Sequence, residues 1–333
     1  MKEMGETIFP SYKVGLFLVE LPCGTWQALE KDLDESIKAE CTLLHEYIHY
    51  IQDTATYYGV LYRNATYMNE STGAAASEIV GANIVETEGM QSDVTVADGK
   101  LMYGNHVAGT KLMKENMAVV AQHYAFDDVC TVVIPTNNNY SAITHYIWRE
   151  VPCLRCCYLL TFSLYDMALC SEHPVDALLQ LIGFFQKSCI SRKSRYYEEE
   201  ELVGWLYDKG EEFLEASGLL DYSTIKNANK IDGDISRILD GSMATLPCEC
   251  GKVENHQRKL ALFSYFKQKV RSNLALRINR PTIITRTLIE LKQRKDMEVF
   301  YKTFGMPYML NIDENGEVHT NVDFFLTDNS RLT

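Results

Sequence analysis

Long apolar runs are absent from this 333-residue sequence, so no segment is predicted to cross a membrane as a helix. The longest candidate, residues 154–170, is interrupted by Asp166 and carries Arg155 near its start. The first residues are charged and no apolar stretch follows them, which argues against a secretory signal peptide. We therefore expect a cytoplasmic protein.

An excess of positive charge is also lacking. The formal net charge is −13, which argues against general binding of nucleic acids through their phosphates. The charge is uneven, because residues 252–295 hold 12 Lys and Arg against 2 Glu, a local charge of +10. This basic segment could dock an acidic partner. Alternatively, it could pack near the acidic stretches 198–201 and 211–212, since runs of charge are most often solvated faces.

Paired Cys-x-x-Cys motifs, internal repeats and low-complexity linkers are missing as well. The spacing occurs at 153–156, but without a second pair it is a weak zinc candidate. The ten cysteines are scattered, which suits buried, reduced thiols. Hydrophobic residues make up 46% and charged residues 23% of the chain, as in ordinary soluble globular proteins.

The most informative motif is residues 45–49 (HEYIH), which has the pattern His-Glu-x-x-His. Two histidines at this spacing lie one turn apart on one face of a helix, so both imidazoles can reach a single Zn²⁺. Glu46 stands at the edge of that face, where its carboxylate can take a proton from metal-activated water. The helix predicted around the motif, from about Leu33 to Tyr58, has a broad apolar band. Its narrower polar stripe consists of Thr42, His45, Glu46, His49, Gln52 and Asp53.

These residues resemble the active-site helix of the zincin metallopeptidases. Thr42 before the first histidine, the uncharged flanking positions and Ile51 after the second histidine all match the extended zincin signature. Asp53, one turn after His49, is similar to the acidic residue that supports a ligand in thermolysin-type enzymes. The resemblance implies a zinc peptidase with an edge strand beside the metal helix, where an extended substrate binds.

The rest of the sequence predicts a helix-dominated α+β fold with a small and mainly antiparallel sheet, and the resemblance implies that this fold is zincin-like. Residues 12–20 are interpreted as one strand, because β-branched and aromatic residues lead up to Pro22 and Gly24. A further strand is predicted at 129–134, and turn signals at 98–99 and 314–316 predict two hairpins. Helices are predicted near residues 74–88, 109–124, 140–150, 153–171, 174–190, 197–217, 222–240, 254–275 and 282–303.

The chain is long enough for one large domain or for two lobes. We predict a zincin-like catalytic lobe over residues 1–150, which would contain the strand, the metal helix and a helix that supplies the third ligand. Residues 151–333 would form a mostly helical lobe that ends in a β-hairpin. Gly and Pro are spread too evenly along the chain to mark the border directly.

A catalytic zinc needs three protein ligands and an open position, so a third ligand must lie outside the motif. No histidine follows His49 until His106, which favours a glutamate from a second helix, as in the gluzincins. Glu115 lies inside the predicted helix 109–124, and Ala118 one turn later would let that helix approach the metal helix closely. Glu-x-x-Ala also resembles the third-ligand segment of gluzincin aminopeptidases.

Glu70 is the rival third ligand. Asn69-Glu70 resembles the corresponding dipeptide of thermolysin-type enzymes and follows His49 at a similar spacing. Against it, residues 71–73 (STG) disfavour the interior of a helix. Further candidates for the third ligand are Glu78, Glu86 and His123.

The leading hypothesis is that His45, His49 and Glu115 hold Zn²⁺ while Glu46 is the general base for hydrolysis of a peptide or protein substrate. A second hypothesis is a zincin-like binding, regulatory, toxin-type or defence-type protein with little or no general proteolysis. A third is a helical structural protein in which the motif is fortuitous.

Overall fold

The computed structural model describes the chain in ten stretches: residues 10–13, 17–29, 33–60, 94–97, 100–103, 106–127, 141–188, 198–227, 253–312 and 318–321. Helices dominate these residues, and the strands form a four-stranded and a two-stranded sheet. The predicted helix-dominated α+β class is therefore confirmed.

The helices of the described residues are α1 (Cys23–Leu29), α2 (Leu33–Thr54), α3 (His106–Phe126), α4 (Ala142–Glu150), α5 (Tyr158–Ala168), α6 (Pro174–Lys187), α7 (Glu199–Ala216), α8 (Tyr222–Ile225), α9 (Val253–Asn279), α10 (Ile283–Arg294) and α11 (Glu298–Phe304). The strands are β1 (Ser11–Lys13), β2 (Leu18–Glu20), β3 (Val94–Ala97), β4 (Lys100–Tyr103), β5 (Tyr308–Ile312) and β6 (Val318–Thr320). A single 3₁₀ turn at Pro152–Leu154 precedes α5.

The helix predicted around the His-Glu-x-x-His motif forms as α2, and its apolar band faces the core. Tyr47, Ile48 and Ile51 are all 0% exposed. Helix α3 packs alongside α2, and Ala118 is buried. Because the side chain of Ala118 is a single methyl group, it leaves α3 free to lie close to its neighbour.

Helix α2 ends at Thr54, before the predicted end at Tyr58. The chain bends at 55–56 and then makes a helical turn at 57–60 that folds back on the end of α2. Gly59 is required there, because a Cβ at this position would overlap the carbonyl oxygen of Gln52. Thr56 Oγ1 donates a hydrogen bond to the same carbonyl.

The four-stranded sheet has the order β1-β2-β5-β6. β1 and β2 are antiparallel, β2 and β5 are parallel, and β5 and β6 are antiparallel. The prediction of one strand over 12–20 is wrong, because the chain reverses and Tyr12 pairs with Val19. Phe17 has a φ of 51°, a left-handed conformation that is incompatible with a continuous strand.

Both predicted hairpins are confirmed as pairs of antiparallel strands. β3 pairs with β4 from Val94↔Tyr103 to Ala97↔Lys100, and β5 pairs with β6 from Leu310↔Thr320 to Ile312↔Val318. The turns at 98–99 and 314–316, the strand predicted at 129–134 and the helix predicted at 74–88 lie outside the described residues.

Two predicted long helices are each divided. The segment predicted over 153–171 contains the 3₁₀ turn, Cys156 at a φ of 61°, and then α5. The segment predicted over 282–303 is α10 and α11, separated at Lys295, which has a φ of 52°. Asp296 Oδ1 then accepts a hydrogen bond from the Glu298 N–H and so begins α11. Both breaks depend on local backbone geometry that helix propensity does not encode.

One hydrophobic core cluster includes buried residues from Phe17 to Phe304, on both sides of residue 150. The parallel pairing of β2 with β5 also joins the beginning of the described chain to its end. The division into lobes 1–150 and 151–333 stays a prediction. None of the helices in the described stretches combines the length and the apolar character that a bilayer crossing needs.

Candidate metal site

Helix α2 presents His45 and His49 side by side. Their ring centroids are 5.0 Å apart and the ring planes are inclined by 79°. The side chains are 17% and 10% exposed, so the pair lies at the border between the core and solvent. This placement follows from the polar stripe of α2, because its opposite face is held in the core.

Helix α3 supplies Glu115 to the same place. Glu115 Oε2 lies 3.2 Å from His45 Nε2 and 3.4 Å from His49 Nε2. One ligand atom from each of the three residues lies within 4.8 Å of the others. The structure thus brings together the two histidines and the glutamate that were predicted as metal ligands.

The spacing of these atoms fits a zinc site. At a Zn–N or Zn–O distance of about 2.0–2.1 Å, tetrahedral ligand atoms are separated by roughly 3.3–3.4 Å. The Nε2–Oε2 distances from His45 and His49 to Glu115 are 3.2 and 3.4 Å, and one ligand atom of each of the three residues lies within 4.8 Å of the others. Two imidazoles and one carboxylate are also the ligand set of His₂Glu catalytic zinc sites, which keep a fourth position open.

Electrostatics couple the three groups strongly. Burial by itself raises the pKa of Glu115, but the hydrogen bonds with His45 and His49 outweigh it and hold that pKa well below its usual range. Burial conversely lowers the pKa of His45, and the Glu115 and Glu46 carboxylates reverse this so that it ends raised. An ionised Glu115 is the form that a cation would bind.

Glu46 is the buried acid next to the ligands, with 7% exposure. Burial raises its pKa and outweighs the opposing influence of the two histidines and of a hydrogen bond from the Tyr12 backbone N–H. The ring of Tyr12 also stacks on His49 at a centroid distance of 6.3 Å. Strand β1 therefore lies directly beside the candidate site.

The Nδ1 atoms of both histidines contact glutamines. His45 Nδ1 is 3.1 Å from Gln122 Oε1, and His49 Nδ1 is 2.9 Å from Gln52 Oε1. We predicted that Asp53 supports one of the ligands, and this prediction is wrong because both Nδ1 atoms contact glutamines instead. Asp53 Oδ1 instead pairs with Lys114 Nζ at 3.0 Å.

Sequence reasoning did not assign these glutamines a role, although a signal for each was present. Gln52 belongs to the polar stripe of α2, and Gln122 follows Glu115 by two helical turns on the same face of α3. Among the rival third ligands, His123 stacks on Tyr158 at 5.5 Å, away from the cluster. Glu70, Glu78 and Glu86 lie outside the described residues.

Comparisons of the chain with models of protein families, with curated proteins and with solved structures each find no match. The zincin family therefore stays a resemblance carried by the residues around His45 and His49. What the site can do chemically follows from its own geometry.

Proposed function

We propose that this protein is a zinc-dependent peptidase of the gluzincin type. The observation that carries the proposal is the convergence of the three ligand atoms: His45 Nε2 and His49 Nε2 lie 3.2 and 3.4 Å from Glu115 Oε2, and one ligand atom of each residue lies within 4.8 Å of the others. The side chains come from two different helices and are partly exposed, so a cation and a substrate can both reach them. The cytoplasmic location predicted from the sequence belongs to the same proposal.

Zinc held by these three residues would supply a Lewis acid that polarises the scissile carbonyl and favours deprotonation of water. Glu46 takes the proton from the attacking water and later delivers it to the leaving amine. The raised pKa of Glu46 suits this role, because a base whose pKa lies nearer to neutrality can also return the proton. The Tyr12 N–H orients its carboxylate.

An extended peptide is the substrate class that the surroundings favour. Among the described residues, β1 lies at one end of the strand order β1-β2-β5-β6 and is therefore an edge strand. The edge of a sheet can bind an extended peptide as an additional strand. Since Tyr12 of β1 contacts both Glu46 and His49, a peptide beside β1 would lie next to the reacting groups.

The proposal is tested by incubating the zinc-loaded protein with a peptide library, with and without a chelator. Cleavage should require zinc. Glu46→Gln should retain zinc and lose about 10²–10⁴-fold in kcat, the usual contribution of general acid–base catalysis. Glu35→Gln, an exposed position on the same helix, is the matched control and should cleave like the wild type.

Cleavage by Glu46→Gln at the wild-type rate would falsify the assignment of the base. Zinc binding without cleavage of any library peptide would instead favour a zincin-like binding or regulatory protein.

A further inference from the structure

Gln52 and Gln122 lie behind the two histidines, on the side away from Glu115. We propose that they are positioning residues that hold both imidazoles in the Nδ1–H tautomer, with the Nε2 lone pairs directed at the cation. This inference rests on the proposed zinc function and adds residues that the zincin resemblance did not supply. Its basis is the direction in which each carboxamide must point.

The orientation of Gln122 is fixed by the main chain of α2. Its Nε2 donates a hydrogen bond to the Cys41 carbonyl oxygen at 2.8 Å. A carbonyl oxygen can only accept, so the amide NH₂ must face Cys41 and Oε1 must face His45. Oε1 is also only an acceptor, and it lies 3.1 Å from His45 Nδ1. His45 Nδ1 must therefore carry a hydrogen. The other ring nitrogen, Nε2, faces Glu115 Oε2 at 3.2 Å, and a bound cation would replace the hydrogen that these two atoms share.

The same reasoning applies to Gln52, with the helices exchanged. Its Nε2 donates to the Lys114 carbonyl oxygen of α3 at 2.9 Å, and its Oε1 lies 2.9 Å from His49 Nδ1. His49 Nδ1 is thus also the protonated nitrogen. Lys114 is the residue directly before Glu115, so this bond fixes the backbone that carries the third ligand.

Together the two glutamines form a reciprocal brace between α2 and α3. Gln122 reaches from α3 to α2, and Gln52 reaches from α2 to α3. They are 5% and 0% exposed, and buried carboxamides lose free energy when they are left unpaired. Each bond therefore keeps the helices at the separation that sets the distances between the ligand atoms.

The chemical character of the brace also matters. A carboxylate behind an imidazole raises its basicity, whereas a neutral carboxamide orients the ring without adding charge. The three ligands then carry one negative charge, from Glu115, and a divalent cation would keep a net positive charge. A positive centre retains its ability to polarise a substrate carbonyl.

The direct test replaces each glutamine by an isosteric apolar residue, as Gln122→Met and Gln52→Met. Zinc affinity is measured by competition with a chromophoric chelator. Each variant should bind zinc about 10–100-fold more weakly than the wild type, the usual loss when an outer-shell partner of a ligating histidine is removed. Affinity within twofold of the wild type in both variants would overturn the inference.

Asn273→Leu is the matched control. Asn273 is 1% exposed and its Nδ2 donates to the Phe304 carbonyl oxygen at 2.8 Å, so it is also a buried carboxamide anchored on the main chain. Because it is bonded to Phe304 and Thr54 rather than to a ligand, its loss should lower stability while leaving zinc affinity unchanged. A similar loss of affinity in this control would indicate general destabilisation and count against the brace.

Imidazole ¹⁵N NMR of the zinc-loaded wild type decides the question without any variant. His45 and His49 should both bind the metal through Nε2 and carry a hydrogen on Nδ1. Metal bound through Nδ1 at either residue would overturn the inference, even if both Met variants failed to fold. Failure of the wild type to bind zinc would instead overturn the proposed function on which this inference rests.

Discussion

Two clusters of buried charge stand out in the described part of the chain, and they differ in the source of positive charge. In the first, which we call the arginine cluster, Arg277 Nε lies 3.2 Å from Asp166 Oδ2 and Arg277 Nη1 lies 3.4 Å from Glu211 Oε1. In the candidate metal site, the charged partners of Glu115 among the described residues are His45 and His49.

The arginine cluster contains its own permanent cation. The guanidinium group is always charged, and Arg277 and Asp166 are 1% and 0% exposed on their side chains. The candidate metal site has no permanent cation of its own in the described residues, and its three side chains are 10–24% exposed. In the sealed cluster the cation is part of the chain and its removal would leave buried carboxylates uncompensated, whereas the open cluster is suited to take a cation from solvent.

The basic segment 252–295 contains arginines that pair with glutamates of another helix. Arg277 and Arg286 pair with Glu211 and Glu200, which belong to the acidic stretches of α7. This is the local pairing that the sequence offered as the alternative to a docking surface. Binding of an acidic partner by this segment stays a prediction.

The largest effect is expected at the arginine cluster. Arg277→Met would leave Asp166 and Glu211 without their buried cation, so the free energy of unfolding should fall by about 3–5 kcal/mol. Urea denaturation measures the change. Arg286→Met is the control, because its ion pair with Glu200 is about 60% exposed and should contribute no more than about 1 kcal/mol. An equal fall in the free energy of unfolding in the two variants would mean that burial of an ion pair makes no difference to its effect on stability.

Zinc should stabilise the folded protein, and this stabilisation should depend on the residues of the candidate metal site. At a free zinc concentration of about 100 Kd, the free energy of unfolding should rise by about 2.7 kcal/mol in the wild type. Glu115→Ala should lose most of this increase, because it removes one of three ligands. Thermal unfolding with zinc and with chelator provides the measurement. An identical response to zinc in the wild type and in Glu115→Ala would contradict the assignment of the third ligand.

Glu40 on α2 is a half-buried carboxylate with no ion pair to a cation among the described residues, and it provides a smaller test of what burial does to such a group. Burial, with a contribution from Asp296, raises its pKa from 4.5 to about 7. The folded protein therefore binds a proton more tightly than the unfolded chain, so stability is highest at low pH and falls as pH rises from 4.5 to about 7. Glu40→Gln should raise the melting temperature at pH 8, by about 2 °C or more, and should have little effect near pH 4.5.

The control for Glu40 is Glu35→Gln, which is exposed on the same helix. A stabilisation by Glu40→Gln that is the same at both pH values would mean that the effect does not come from the charge.

Helix α2 was the most predictable part of the molecule. Its residues follow a period of 3.6, which places the apolar residues on one face and the polar stripe on the other within one short segment. Glu115 was harder, since 66 residues separate it from His49 and nothing in that spacing specifies contact through space. Its choice over Glu70 depended on the surrounding helix propensity and on Ala118, which permits close packing of α3 on α2.

The supporting residues could not be derived in the same way. The orientation of a carboxamide depends on the acceptor that its own NH₂ group finds, and for Gln122 that acceptor is the Cys41 carbonyl on another helix. The hairpin of β1 and β2 was missed for a related reason. The local sequence around Phe17 favours an extended chain, so its propensities do not predict the positive φ of this residue.

Zinc stoichiometry, together with X-ray absorption at the zinc edge, tests the central claim most directly. The wild type should bind about one zinc per chain, with two imidazole nitrogens and carboxylate oxygen at about 2.0–2.2 Å. His45→Ala, His49→Ala and Glu115→Ala should each greatly reduce the bound metal. A wild type that binds no zinc, or bound zinc that persists undiminished in all three variants, would contradict the account.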